Sequence, residues 1–297
     1  MIKLKVKLFD KNVEVKDTSC GMNGNKGYPY IDLRINVYTC LTHVCNAKCP
    51  FCEYHYNDTY LFDFEKWCYC IDEIVDTLGI FKASFTGGEP SLELETLKKC
   101  LKYLKNKDEN IFTIINTNGV RLKDLEGIDE LDNIALSRHA LSDEENYKIF
   151  GTDTVASLQD IIDFKDKSKI HLSCNIIKGY IDSDEKIKEY FEMASEVGVL
   201  DVGFVTLMPI NKYAEEHSID FSDISLSLNN KFIINRYFDR VVNNSCVCKC
   251  RNYLYNSQNG KIITGYSRYY VDRNYTDGAL VYIDNNLRQG FTGEVIK

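Results

Sequence analysis

The sequence predicts an α/β fold on a parallel sheet, and two observations carry that prediction. Strand-like apolar runs alternate with helix-like segments after residue 30, giving six strand–helix units at intervals of roughly 25–40 residues. Right-handed crossovers then require a sheet that is doubly wound or curls towards a barrel. The second observation is where the unusual residues fall. Cys45, Cys49 and Cys52, then Gly87-Gly88-Glu89-Pro90, Thr117-Asn118-Gly119, Ser137-Arg138-His139, Cys174-Asn175 and Met208-Pro209 all follow or close a predicted strand. In barrel-like sheets the loops at the C-terminal strand ends carry the chemistry. These clusters are therefore expected to converge on one mouth.

The elements follow in order. Residues 33–39 alternate with period two and lead into the first cysteine cluster. Residues 64–78 read as a helix, with Trp67, Ile71, Ile74, Val75 and Leu78 near helical spacing. A short strand at 82–86 ends in the Gly-Gly-Glu-Pro loop, and Leu94, Leu97, Leu101 and Leu104 make one stripe of a helix over 92–104. A strand at 111–116 precedes a short helix near Val120. A strand at 133–137 precedes helical segments between 143 and 164. A strand at 169–177 is followed by a helix at 183–197, then a strand at 201–207, and a helix covers part of 224–243. Residues 1–30 read as an N-terminal hairpin with a glycine-rich loop, 31–243 as the strand–helix body, and 244–297 as a C-terminal extension. The length of 297 residues suits one large domain, or one domain with an appendage.

Composition narrows the functional classes. A net charge of −8 argues against a polyanionic partner, so nucleic acid is not expected. The lysines at 98–107 and 165–169 read as solvated helix faces. No apolar run approaches the roughly 18 residues of a membrane span, and residues 1–7 alternate charge with apolar side chains as a strand does. A cytoplasmic protein without a membrane partner is expected. Twelve cysteines in such a chain point to metal or redox chemistry rather than to disulfides. Three of them lie in eight residues (Cys45, Cys49, Cys52) and three in five (Cys246, Cys248, Cys250). The scattered remainder are expected to pack as ordinary thiols.

The first triplet has gaps of three and two residues, and Pro50 opposes a regular helix through it, so the thiolates project from a wrapping loop. Two readings stand. Three thiolates suit an iron–sulfur cubane with one open iron. A zinc site would take a fourth ligand from Cys40, His43 or His55.

This Cx3Cx2C motif after a first strand, with Phe51 before the third cysteine, resembles the signature of the radical S-adenosylmethionine (SAM) superfamily. Gly87-Gly88-Glu89-Pro90 is similar to that family's GGEP loop. Thr117-Asn118-Gly119, Leu136-Ser137-Arg138 and the segment 204–209 resemble later strand ends of the branch typified by the molybdenum-cofactor enzyme MoaA. The resemblance covers about residues 33–210 and implies a partial (β/α)6 TIM-like barrel. It implies a [4Fe–4S] cluster on Cys45, Cys49 and Cys52, whose open iron chelates SAM. An electron from a donor such as flavodoxin or ferredoxin then yields methionine and a 5′-deoxyadenosyl radical. That radical takes hydrogen from a small-molecule or peptide substrate. Gly87 and Gly88 lack a Cβ and let backbone approach SAM. Glu89 offers an acceptor to its ammonium, Pro90 stiffens the turn, and Phe51 packs on the adenine. Asn118, Ser137, Arg138, Asn175 and Met208 complete the implied SAM site.

Cys246-Val247-Cys248-Lys249-Cys250 lies where many relatives bind a second, auxiliary cluster. Alternate strand residues face the same way, so the three sulfurs suit that role. Hydrogen donation to a substrate radical by Cys248 or Cys250, and plain packing, are the competing readings. Lys249 and Arg251 would lower the pKa of nearby thiols. The CxCxC spacing and the final residues differ from the MoaA pattern, which weakens a GTP-cyclising reading. A glycyl-radical activase and a non-catalytic zinc protein are the remaining alternatives.

Overall fold

Lysines alternating with apolar residues form an antiparallel hairpin of β1 (Lys3–Leu8) and β2 (Lys11–Lys16), which buries Leu8 and Val13. The computed structural model describes residues 3–16, 34–52, 60–220, 224, 232–234, 251–268 and 279–297. The body begins with β3 (Ile35–Thr42), whose side chains are buried along almost its whole length. α1 (Phe64–Thr77) follows, N-capped by Asp63, and buries Trp67, Cys70, Ile71 and Ile74 on one stripe. Then come β4 (Ile80–Gly87), a 3-10 turn over Pro90–Glu93, and α2 (Leu94–Lys107), with Leu94, Leu97, Leu101 and Leu104 buried as the spacing predicts.

The alternation continues through β5 (Phe112–Thr117), β6 (Asn133–Ser137), α3 (Asp143–Phe150), α4 (Leu158–Asp163), β7 (Ile170–Ile176), α5 (Asp184–Glu196), β8 (Asp201–Thr206) and α6 (Lys212–His217). Near Val120 the expected helix is a 3-10 turn over Leu122–Leu125. Strands β3 to β8 lie side by side in sequence order, every neighbouring pair parallel. This is the partial (β/α)6 barrel expected, and all six C-terminal strand ends open on one side.

The C-terminal region contributes β9 (Phe232–Ile234), β10 (Arg251–Asn256), β11 (Ile262–Arg268), β12 (Leu280–Ile283) and β13 (Asn286–Gln289). β11 pairs in parallel with β8 and β12 in parallel with β3, so both edges of the barrel strands are covered. The full order is β13-β12-β3-β4-β5-β6-β7-β8-β11-β10-β9. Of the segment 224–243, over part of which a helix is expected, the described stretch Phe232–Ile234 is a strand against β10. A short run of aromatic and β-branched residues has no period of its own, and pairing with an available edge decides its form. The rest of 225–243 lies outside the described residues, as do Cys246, Cys248 and Cys250. Among the described residues no helix is long and apolar enough to cross a membrane.

Candidate iron–sulfur and cofactor site

Where β3 ends at Thr42 the chain leaves the sheet as an irregular loop carrying Cys45, Cys49 and Cys52, with Pro50 breaking any helix. Neighbouring strand ends supply its support. The parallel ladder of β3 and β4 runs on past both strands, because Gly88 N donates to Thr42 O at 2.7 Å and Glu89 N to Val44 O at 2.8 Å. A Cβ on Gly88 would stand 2.3 Å from Val44 O and 2.6 Å from His43 O. One on Gly87, where φ is 131°, would stand 2.3 Å from Thr42 O. The two glycines thus have a reason besides access for a ligand: no other residue lets the β4 turn seat the cysteine loop this closely.

Glu89 is buried and ties three strand ends together. Its Oε1 accepts from Ser91 N at 3.0 Å and Thr117 Oγ1 at 2.5 Å, and its Oε2 from Asn118 N at 2.8 Å. Burial pushes its carboxyl pKa up, while those donors pull it back. Pro90 opens the 3-10 turn that Glu89 caps. From β5, Asn118 Nδ2 reaches Asn46 Oδ1 in the cysteine loop at 2.8 Å, and Cys45 Sγ at 3.9 Å.

The end of β6 also bears on the loop. Lys48 N donates to Phe150 O at 2.7 Å, and Ala47, Phe150 and Val155 form a small core against which Cys45 and Cys49 pack. Phe51 meets the ring of His139 edge-on at 5.4 Å, and His139 stacks on Phe150 at 5.1 Å. From beyond β8, Asn211 Nδ2 donates to Pro50 O at 3.1 Å. Met208 is half-buried directly after β8.

Ser137, Arg138 and Asn175 stand at the same mouth. Arg138 is fully buried, and its fork is engaged with Asp143 Oδ1 and Leu141 O, both at 2.9 Å. That pairing braces the turn after β6. Asn175 N donates to His139 Nδ1 at 3.0 Å, and His139 N donates to Asn146 Oδ1 at 2.9 Å. The ring is therefore held as the tautomer with its proton on Nε2. Burial, with the Arg138 charge beside it, drives the His139 pKa down to about 3, so it is a neutral donor at physiological pH. Sequence reading passed over Asn46 and Asn211, and placed His139 at a strand end as a hydrogen-bonded structural residue. A lone histidine or asparagine carries no spacing signal, and their contacts span different loops.

Burial raises the thiol pKa of Cys45 and Cys49, and each is raised further by the charge of Cys52. The three sulfurs thus lie within electrostatic reach of one another, in a place that penalises three bare thiolates. A polycationic group relieves that penalty. Among the described residues no three His, Cys, Asp or Glu side chains converge closely enough to chelate a single ion. One zinc ion would need sulfurs about 3.8 Å apart, given Zn–S bonds of about 2.3 Å. Three thiols on one loop suit a cluster that takes each sulfur on a different iron, or a zinc site completed by a fourth ligand. Cys174 is buried in the core, where burial raises its pKa.

A family model described as the radical SAM superfamily matches residues 39–220. A probable GTP 3′,8-cyclase of Saccharolobus islandicus (strain M.14.25 / Kamchatka #1) is 32% identical over 192 residues, 62% of this chain and 59% of that protein. One of Thermococcus kodakarensis is 31% identical over 185 residues, 59% of this chain and 56% of that protein. The chain thus spans less than three fifths of the length of these curated relatives. Among solved structures, Streptococcus suis SuiB bound to S-adenosylmethionine superposes with a TM-score of 0.51 at 19% identity, over 62% of this chain and 43% of SuiB. That likeness is one of fold.

Two stability measurements check the site's wiring. Glu89→Gln turns an amide N–H towards a backbone N–H in either orientation, so the urea midpoint should fall by the equivalent of about 1–3 kcal/mol. An unchanged midpoint would contradict the bonds described. Below the ordinary histidine value near 6.5 the unfolded chain takes up a proton that folded His139 refuses until about pH 3. Stability therefore falls as pH drops through that window. Between pH 7 and 5 the wild type should lose about 2 kcal/mol more than His139→Gln. Equal losses would place His139 in a less buried setting.

Proposed function

The chain belongs to the radical SAM superfamily, and on that premise we propose that it reductively cleaves S-adenosylmethionine and abstracts hydrogen from a metabolite or peptide. The observation that carries this reading is the set of three thiols on one loop, seated on the Gly-Gly backbone. A [4Fe–4S] cluster held there by Cys45, Cys49 and Cys52, once reduced by an external donor, would supply the electron for reductive cleavage of the sulfonium bond to methionine and a 5′-deoxyadenosyl radical.

The chain's own residues hold, orient and exclude. Cys45, Cys49 and Cys52 ligate, and the open side of the site faces the remaining strand ends. Gly87, Gly88, Glu89 and Pro90 form the wall beside the methionyl part, with Glu89 fixed by Ser91, Thr117 and Asn118. Phe51 offers an apolar ring for the adenine and is itself held against His139. Ser137, Asn175, Asn118 and Met208 complete the lining, while Arg138 keeps the turn after β6 in place through Asp143. Residues 246–250 supply three more thiols, which we assign to an auxiliary cluster, with hydrogen donation by Cys248 or Cys250 as the alternative use.

A second reading, cyclisation of GTP, is favoured by the 32% identity to the probable GTP 3′,8-cyclase over the barrel. Anaerobic reconstitution tests both. With dithionite and SAM the wild type should form 5′-deoxyadenosine, and Cys45→Ala, Cys49→Ala and Cys52→Ala should each abolish it. About eight irons per chain, falling to about four in a Cys246/Cys248/Cys250→Ala triple variant, support the auxiliary cluster. About four irons in both proteins move those cysteines to donation or packing. Zinc in place of iron, with no 5′-deoxyadenosine, would sink the proposal. Conversion of added GTP would select the second reading.

A further inference from the structure

The loop that carries the three cysteines runs from Thr42 at the end of β3 to Phe64 at the start of α1. The near end and the middle are held by the strand-end loops described above. The far end is held by a different part of the chain.

The β12–β13 hairpin closes through Asp284 and Asn285, both left-handed with φ of 54° and 53°, between the paired residues Ile283 and Asn286. This is a two-residue turn that Asn and Asp tolerate. Such a turn makes no demand on the Asn285 amide, yet both ends of that amide are used. Asn285 Oδ1 accepts from Asp63 N at 2.8 Å, and Nδ2 donates to Leu61 O at 2.8 Å. From the same hairpin Tyr282 Oη donates to Asp63 O at 3.2 Å. Asp284 Oδ1 lies 3.1 Å from His43 Nε2. The Asp284–Asn285 tip thus touches the cysteine loop both before Cys45 and after Cys52. Tyr60, whose ring packs 4.8 Å from His43, bonds back to Cys40 O and draws the two flanks together.

We propose that Asn285 is a positioning residue of the iron–sulfur site: from the far end of the chain it clasps residues 61–63 and so fixes the loop that presents Cys45, Cys49 and Cys52. This rests on the reading of those cysteines as cluster ligands. The strand that leads into the clasp, β12, is itself paired with β3.

Asn285→Gly separates this role from turn formation, since glycine accepts the left-handed φ and deletes only the amide. In the apo-protein the thermal midpoint should fall by only a few degrees, while alkylation of Cys52 by iodoacetamide, followed by mass spectrometry, speeds up severalfold. In the reconstituted protein, iron release to a chelator should be roughly tenfold faster, as expected for two lost hydrogen bonds, and the electron paramagnetic resonance signal of the reduced cluster should broaden. Asn285→Asp keeps the acceptor for Asp63 N and should fall between the two. Wild-type labelling and iron release in Asn285→Gly would overturn the proposal while leaving the enzyme reading intact. A wild-type chain that takes up no iron at all would remove both.

Discussion

The contact on which the site depends is backbone against backbone. Past the last paired residues of β3 and β4, Gly88 N and Glu89 N go on donating to Thr42 O and Val44 O. This continues a parallel ladder into a loop that has no regular structure of its own. A side chain at Gly87 or Gly88 would occupy the space of the Thr42, His43 or Val44 carbonyls. With the glycines in place, the start of the cysteine loop is as well determined as a strand. Glu89 then passes the constraint sideways to Thr117 and Asn118, and Asn118 returns it to Asn46.

In this arrangement the ionisable groups at the mouth are paired, neutral or surrounded by donors. Arg138 is neutralised by Asp143, and His139 is neutral with its Nδ1 engaged. Glu89 is buried among donors. The thiols of Cys45 and Cys49 sit high in pKa for the same reason, namely burial. A metal cluster held there would need thiolates, so its binding would release protons.

Much of this was legible in the sequence. The strand-end clusters, the burial stripe of Leu94, Leu97, Leu101 and Leu104 in α2, and the six-unit alternation are periodic or local signals, and all three appear in the structure. The GGEP segment was legible as a motif, but its reason was only half so. Glycine was read as making room for a ligand, whereas the nearest atoms are those of the chain itself. Three features left no local trace. The edge pairings of β11 with β8 and β12 with β3 join residues far apart in sequence. The clasp of Asn285 on Leu61 and Asp63 spans more than two hundred residues. His139 gains its character from Asn175, Phe51 and Phe150, none of them within a helical turn of it. Phe232–Ile234 likewise takes its strand form from its partner β10.

The most direct test of the account is the iron content of Gly88→Ala after anaerobic reconstitution, measured beside the far-ultraviolet circular dichroism of the same sample. A single methyl group there meets the carbonyls of Val44 and His43. It should leave the barrel folded while displacing the cysteine loop, so the account predicts native helix content with iron at Cys45, Cys49 and Cys52 largely lost. Full iron occupancy in a folded Gly88→Ala protein would contradict the claim that this backbone contact seats the site.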